Sequence, residues 1–154
     1  MHCMRVLFFL TLAPFLTACV SETESPEEQI RQLIVASVES AEARELSALK
    51  KTIHPNYLDQ RGHRKDQLLL LMRGLFLRHK NVHLFTKIRD IELQSNTEAR
   101  VQMYVAMAAS PITNAASLTD MRARLYEFEL HLVNDENWRV SSAAWRSAGL
   151  TEVE

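Results

Sequence analysis

The feature that most constrains this chain is a change of hydrophobic period near residue 81. Before it apolar residues recur at helical spacing, and after it they alternate with polar ones. Ile30, Leu33, Ile34 and Ala41, continued by Leu46, Leu49 and Ile53, predict one long amphipathic helix running to about Lys51. Ser25-Pro26-Glu27-Glu28 opens it, with Ser as N-cap, Pro at the first helical position and two acids at the positive helix end. His54-Pro55 stops it, and His54 is expected to interact with the end of that helix. A second helix is predicted over about Arg64 to Lys80. Leu68, Leu69, Leu70, Leu71, Met72, Leu75, Phe76 and Leu77 cover most of its circumference, the pattern of a helix enclosed on several sides.

From Asn81 the period is two. Val82, Leu84, Thr86 and Ile88 lie in one phase, and Ile91 and Leu93 follow after a slip that predicts a bulge. Val101, Met103, Val105 and Met107 alternate with Arg100, Gln102, Tyr104 and Ala106, and Tyr126, Phe128, Leu130 and Leu132 alternate with Glu127, Glu129 and His131. The Val101 to Met107 face is expected in the core, with a homodimer interface as the alternative. Asn134-Asp135-Glu136-Asn137 predicts a tight turn before a last strand, Trp138 to Trp145. The thirteen residues Ala109 to Met121 are far more than the roughly two to five a hairpin needs, so they form either a passive excursion or a cover for a mouth or partner surface. Helices followed by a four-strand antiparallel meander make an α+β fold, with N-terminal helices packed in the concave face of a bent sheet.

This order resembles the nuclear transport factor 2-like superfamily, the cystatin-like cone that includes SnoaL-like and steroid isomerase-type proteins. The resemblance rests on the long first helix, the stretch Ile53-His54-Pro55-Asn56-Tyr57-Leu58-Asp59-Gln60-Arg61-Gly62 before a helix, and the closing Asn137-Trp138-Arg139-Val140 with Ala144-Trp145. It covers residues 25–148. It implies a cavity between helix and sheet, and the superfamily's enzymes place Asp, Tyr or His there for proton transfer. The hairpin that precedes the buried helix in this superfamily is shortened here to Tyr57 through Gly62. Fold by itself does not carry an activity over.

The N-terminus gives a destination. Arg5 precedes Val6-Leu7-Phe8-Phe9-Leu10-Thr11-Leu12-Ala13-Pro14-Phe15-Leu16, an apolar run shorter than the roughly 20 residues that span a bilayer. A signal peptide over 1–18 fits it. Leu16-Thr17-Ala18-Cys19 resembles the bacterial lipobox, which implies acylation of Cys19 and cleavage before it. Residues 19–24 then form a lipidated tether, and 149–154 an acidic C-terminal tail. Val20 stands where an Asp would favour the inner membrane, so the resemblance implies the periplasmic face of the outer membrane. Cys3 lies in the removed piece and the only other cysteine is Cys19, so no thiol chemistry is expected in the domain.

Net charge of −1 argues against a nucleic-acid partner. With three glycines there is no phosphate-cradling loop, and no cofactor is expected. Tyr57, Asp59, His83, Tyr104, Tyr126 and Trp145 are the candidates for lining a cavity. His79 and His83 are four apart, but a helix end between them speaks against a shared metal. Arg61, Arg64 and Lys65 oppose the helix dipole they precede, which marks them either as an anion site or as a solvated face. The partners expected are a membrane, through lipid on Cys19, a second copy, an envelope protein or a small apolar ligand. Two functions compete: a lipid-anchored, non-catalytic binding module, and a small SnoaL-like enzyme using general acid/base chemistry in its cone.

Overall fold

The computed structural model describes residues 24–108, 111 and 124–152. Three helices, α1 (Pro26–Glu42), α2 (Leu46–Thr52) and α3 (Lys65–Arg78), precede four strands, β1 (His83–Leu93), β2 (Glu98–Ala108), β3 (Arg124–Asn134) and β4 (Trp138–Ser147). The strands form one antiparallel sheet in chain order. This is the helices-then-meander α+β order expected from the change of period, in the cone that the resemblance implies. The leader, Cys19 and most of the Ala109–Met121 connection lie outside the described residues.

Local chemistry explains most boundaries. The Ser25 hydroxyl accepts from the Glu28 N–H at 3.2 Å and Pro26 follows it, as the capping sequence requires. The β1 slip falls between Ile88 and Asp90, where the register against β2 shifts around Arg89. Asn134 pairs with Trp138 across the predicted tight turn.

The predicted single helix is two. α1 ends at Glu42, and Arg44 adopts the left-handed conformation with φ of 58°. Its N–H donates to the Ala41 carbonyl at 3.1 Å and the Glu45 N–H donates to the Ser40 carbonyl at 2.8 Å, the two closing bonds of a Schellman motif. An arginine holds the position glycine normally takes, so no sequence signal marked this end.

The core lies between α1 and the concave sheet face: Ile30, Ile34, Ala99, Val101, Met103, Leu132 and Trp138 are buried together. A second cluster joins Ile53, Tyr57, Leu69 and Ala143. A third, Tyr104, Ala106 and Leu125 with Phe85 and Ala148 against it, lies on the opposite, convex face. α3 departs from expectation, because it is not enclosed. It packs chiefly on α2, and while Leu69 is buried, Leu70, Leu71 and Leu77 are 69%, 52% and 79% exposed.

Candidate functional site

A cavity of about 390 Å³ opens where α1, α2 and α3 stand off the concave face of the sheet. That is within the roughly 300–1,000 Å³ typical of small-molecule pockets. Leu33, Ile34 and Val38 of α1, Met72 of α3, Met103 of β2 and Phe128 of β3 supply much of the wall. No charged or imidazole side chain is among the described lining residues. Its polar members are Ser37, Thr52, Tyr57 and Thr86. Ser37 and Thr52 turn their hydroxyls back onto helix carbonyls, Leu33 at 2.7 Å and Leu49 at 2.9 Å.

That leaves Thr86 on β1 and Tyr57, of which Tyr57 is the buried aromatic hydroxyl. It is 3% exposed, and burial, reinforced by the negative charge of Asp59, pushes its phenol up to about 12. At neutral pH it is an uncharged hydroxyl able to donate one hydrogen bond, and it is far too weak an acid to act as a proton-transfer base. Trp145 lines the same cavity, stacked on Phe128 with ring centroids 5.8 Å apart.

The other candidates are placed elsewhere. Asp59 is buried but outside the cavity lining, and it organises the turn that enters α3. Its Oδ1 accepts from the Arg61 and His63 N–H groups at 2.8 and 2.9 Å, and its Oδ2 lies 2.9 Å from His63 Nδ1. Burial pushes this carboxyl up, yet the His63 and Arg61 bonds outweigh it and hold the carboxyl below its ordinary value. The turn also needs Gly62 at φ of 82°, a conformation glycine adopts without steric cost. Tyr126 packs edge-on against Phe128 at 6.4 Å, beside the cavity and not in its lining.

His83 and Tyr104 are on the wrong face. Both alternate with the cavity-facing residues Leu84, Thr86, Met103 and Val105, so the strand pleat turns them to the convex side. There Tyr104 lies under Arg89 at 5.6 Å, while Arg89 pairs with Glu127 at 2.6 Å. Glu127 also pairs with Arg146, which bonds Glu152 at 2.6 Å. The expected acidic tail thus folds its Glu152 back onto the sheet. His54 faces the β3–β4 turn and not a helix end: its Nδ1 accepts from the Asn56 N–H at 3.1 Å, and Nε2 lies 3.6 Å from Asp135.

The basic triplet does not converge. Arg61 sits over the Trp145 ring at 5.0 Å, Lys65 donates to the Ile53 carbonyl at the end of α2, and the Arg64 N–H is capped by Gln67 at 2.9 Å. Two of the three cations thus make separate local contacts, and the Arg64 bond is a backbone cap of α3. Among the described residues no His, Cys, Asp and Glu cluster has metal-binding geometry. Sequence reasoning missed Ser37, Thr52 and Thr86 as wall residues. The signal for Ser37 was its place within the helical stripe Leu33, Ile34, Val38 and Ala41.

No family model and no curated protein matches the chain. Solved structures do. A nuclear transport factor 2-like protein of unknown function from Shewanella oneidensis superposes with a TM-score of 0.62 at 17% identity, over 79% of this chain and 98% of its own. A candidate scytalone dehydratase from Novosphingobium aromaticivorans gives 0.66 at 14% identity, over 80% and 84%. A ketosteroid isomerase-like protein from Erwinia carotovora gives 0.58 at 14%, over 79% and 95%. At such identities the likeness shows the fold: this chain has the nuclear transport factor 2-like cone.

Proposed function

We propose that this protein is a lipid-anchored binding module of the bacterial cell envelope whose cone takes a small apolar ligand and does not transform it. The observation that carries the reading is the chemistry of the cavity. Its described wall is largely apolar, its helix hydroxyls are satisfied internally, and the polar groups left are the Thr86 hydroxyl and the neutral phenol of Tyr57. Such a site rewards burial of apolar surface, at about 25 cal/mol per Å², and orients a ligand by a single hydrogen bond from Tyr57. Isomerase or dehydratase chemistry of the kind named for two fold neighbours needs a carboxylate or imidazole to move the proton, and the described wall carries neither. The export and anchoring part rests on Leu16-Thr17-Ala18-Cys19, and the assignment to the periplasmic face of the outer membrane on Val20 where an Asp would favour the inner membrane.

Native mass spectrometry with titration of a fluorescent apolar probe tests the site. A reproducible small-molecule adduct, or saturable one-to-one probe binding weakened by Tyr57→Phe, supports the proposal. A clean apo mass with no saturable binding removes the ligand reading. Separately, Cys19→Ala abolishes acylation and leaves unprocessed precursor. A variant still cleaved and still membrane-bound refutes the anchor.

A further inference from the structure

α3 presents a second surface, unrelated to the cavity wall on its other side. Leu70 and Leu77 are seven residues apart, two helical turns on one face, and Leu71 adjoins them. All three side chains are more than half exposed. Projected at 100° per residue, Arg73 lies on one side of the Leu70–Leu77 line and Arg78 on the other, between it and Leu71, while Lys80 follows just past the helix end. These three cations have no ion-pair partner among the described residues. On the sheet, Arg89, Arg100, Arg139 and Arg146 are each paired with a carboxylate. α3 thus sets exposed leucines beside unpaired cations, with Asp66 in its first turn the one carboxylate it carries.

We propose that α3 lies on an anionic lipid bilayer, with Leu70, Leu71 and Leu77 entering the interface and Arg73, Arg78 and Lys80 meeting lipid phosphates. A bilayer surface supplies both demands at once, apolar depth beneath the leucines and negative charge beside them, and long cationic side chains reach outward while their stems stay buried. The alternatives fail on charge. A second copy docked symmetrically on this face sets cations against cations. The apolar N-terminal run offers no carboxylate before Glu22 to meet them. This contact is independent of lipid on Cys19. It also brings α3, whose Leu68 and Met72 line the cavity, to the membrane.

The test places a tryptophan at the ridge. Full-length Leu77→Trp is reconstituted in vesicles of phosphatidylcholine and phosphatidylglycerol with brominated acyl chains, which quench tryptophan inside the bilayer. The unsubstituted protein supplies the background from Trp138 and Trp145. The expected result is loss of at least half of the added fluorescence in vesicles with phosphatidylglycerol. Quenching returns to background in phosphatidylcholine alone, and in a variant that also carries Arg73→Glu, Arg78→Glu and Lys80→Glu. At about fivefold in partitioning per cation, loss of three costs about a hundredfold, and reversal to glutamate adds repulsion beyond that. All substituted side chains are exposed, and unchanged far-ultraviolet circular dichroism verifies the fold. Added fluorescence unquenched in every vesicle overturns the proposal, as expected if an acidic protein or the N-terminal run covers α3. Quenching indifferent to lipid charge and to charge reversal overturns it equally.

Discussion

Ser37→Leu puts the cavity to a quantitative test. Ser37 occupies the α1 stripe that faces the void, and its hydroxyl only bonds back to the Leu33 carbonyl, itself part of the helix ladder. Leucine there buries an isobutyl group worth about 1.5 kcal/mol at a partly exposed site. It gains about 0.3 kcal/mol in helix propensity over serine, and it loses about 0.5 to 1 kcal/mol in rotamer entropy. The net is about 1 kcal/mol of stabilisation, or about 4 °C in Tm for a domain of this size. The same leucine takes volume from the ligand, so affinity for an apolar probe falls about tenfold, equivalent to about 1.4 kcal/mol. Thermal and urea unfolding followed by circular dichroism measure the first effect, and probe titration the second. A loss of 1 kcal/mol or more means the side chain is overpacked and the void is closed in solution. A gain in stability with unchanged binding places the ligand elsewhere.

The remaining expectations concern titration and backbone strain. Because the folded Tyr57 phenol titrates near 12 and the unfolded one near 10, the folded state keeps a proton that the unfolded state has lost between those values. Stability therefore falls as pH rises through this window, by about 2 to 3 kcal/mol, and Tyr57→Phe removes that slope in alkaline urea titrations. Asp59→Ala strips the Arg61 and His63 N–H groups of their acceptor and costs about 2 kcal/mol at neutral pH. Since the folded carboxyl titrates below the unfolded one, its stabilisation is present above the unfolded value and is lost as pH falls through the folded value, so wild type and variant begin to converge as pH drops below about 4. Arg44→Gly relieves a left-handed residue and raises stability by about 1 kcal/mol, whereas Gly62→Ala, with open space for its Cβ but φ of 82°, lowers it by about the same. Equal signs for the two substitutions, read from urea midpoints, refute the backbone argument.

Much of the fold was legible because it is written in local physics. Ser25-Pro26 caps a helix wherever it stands, strict alternation makes β2 and β3, and the Arg89 slip and the Asn134–Asn137 turn announce themselves as a phase change and a polar cluster. The α1 end was not legible, since its left-handed residue is an arginine whose strain is compensated by two closing hydrogen bonds. Of the candidate site, Tyr57 and Trp145 were found as conspicuous side chains beside apolar ones. His83 and Tyr104 were misplaced for a definite reason. Period two assigns residues to opposite faces, but polar and aromatic groups there do not reveal which face closes over a cavity. Asp59 and the Arg61, Arg64 and Lys65 triplet read as chemistry in sequence and serve the entrance to α3 in space.

The order of helices before strands and the antiparallel meander follow from the chain alone, though not the break between α1 and α2, because capping, turn and pleat preferences act within a few residues. Tertiary structure alone decided what those elements enclose. A leucine-rich helix is equally compatible with burial on all sides and with a half-exposed berth, and only its packing chiefly on α2 leaves Leu70, Leu71 and Leu77 outside. Likewise Leu33, Val38, Met103 and Phe128 read as core, yet the standoff between helices and sheet leaves a void among them. Hydrophobic burial is non-directional, so it selects which residues turn inward without specifying how completely they meet.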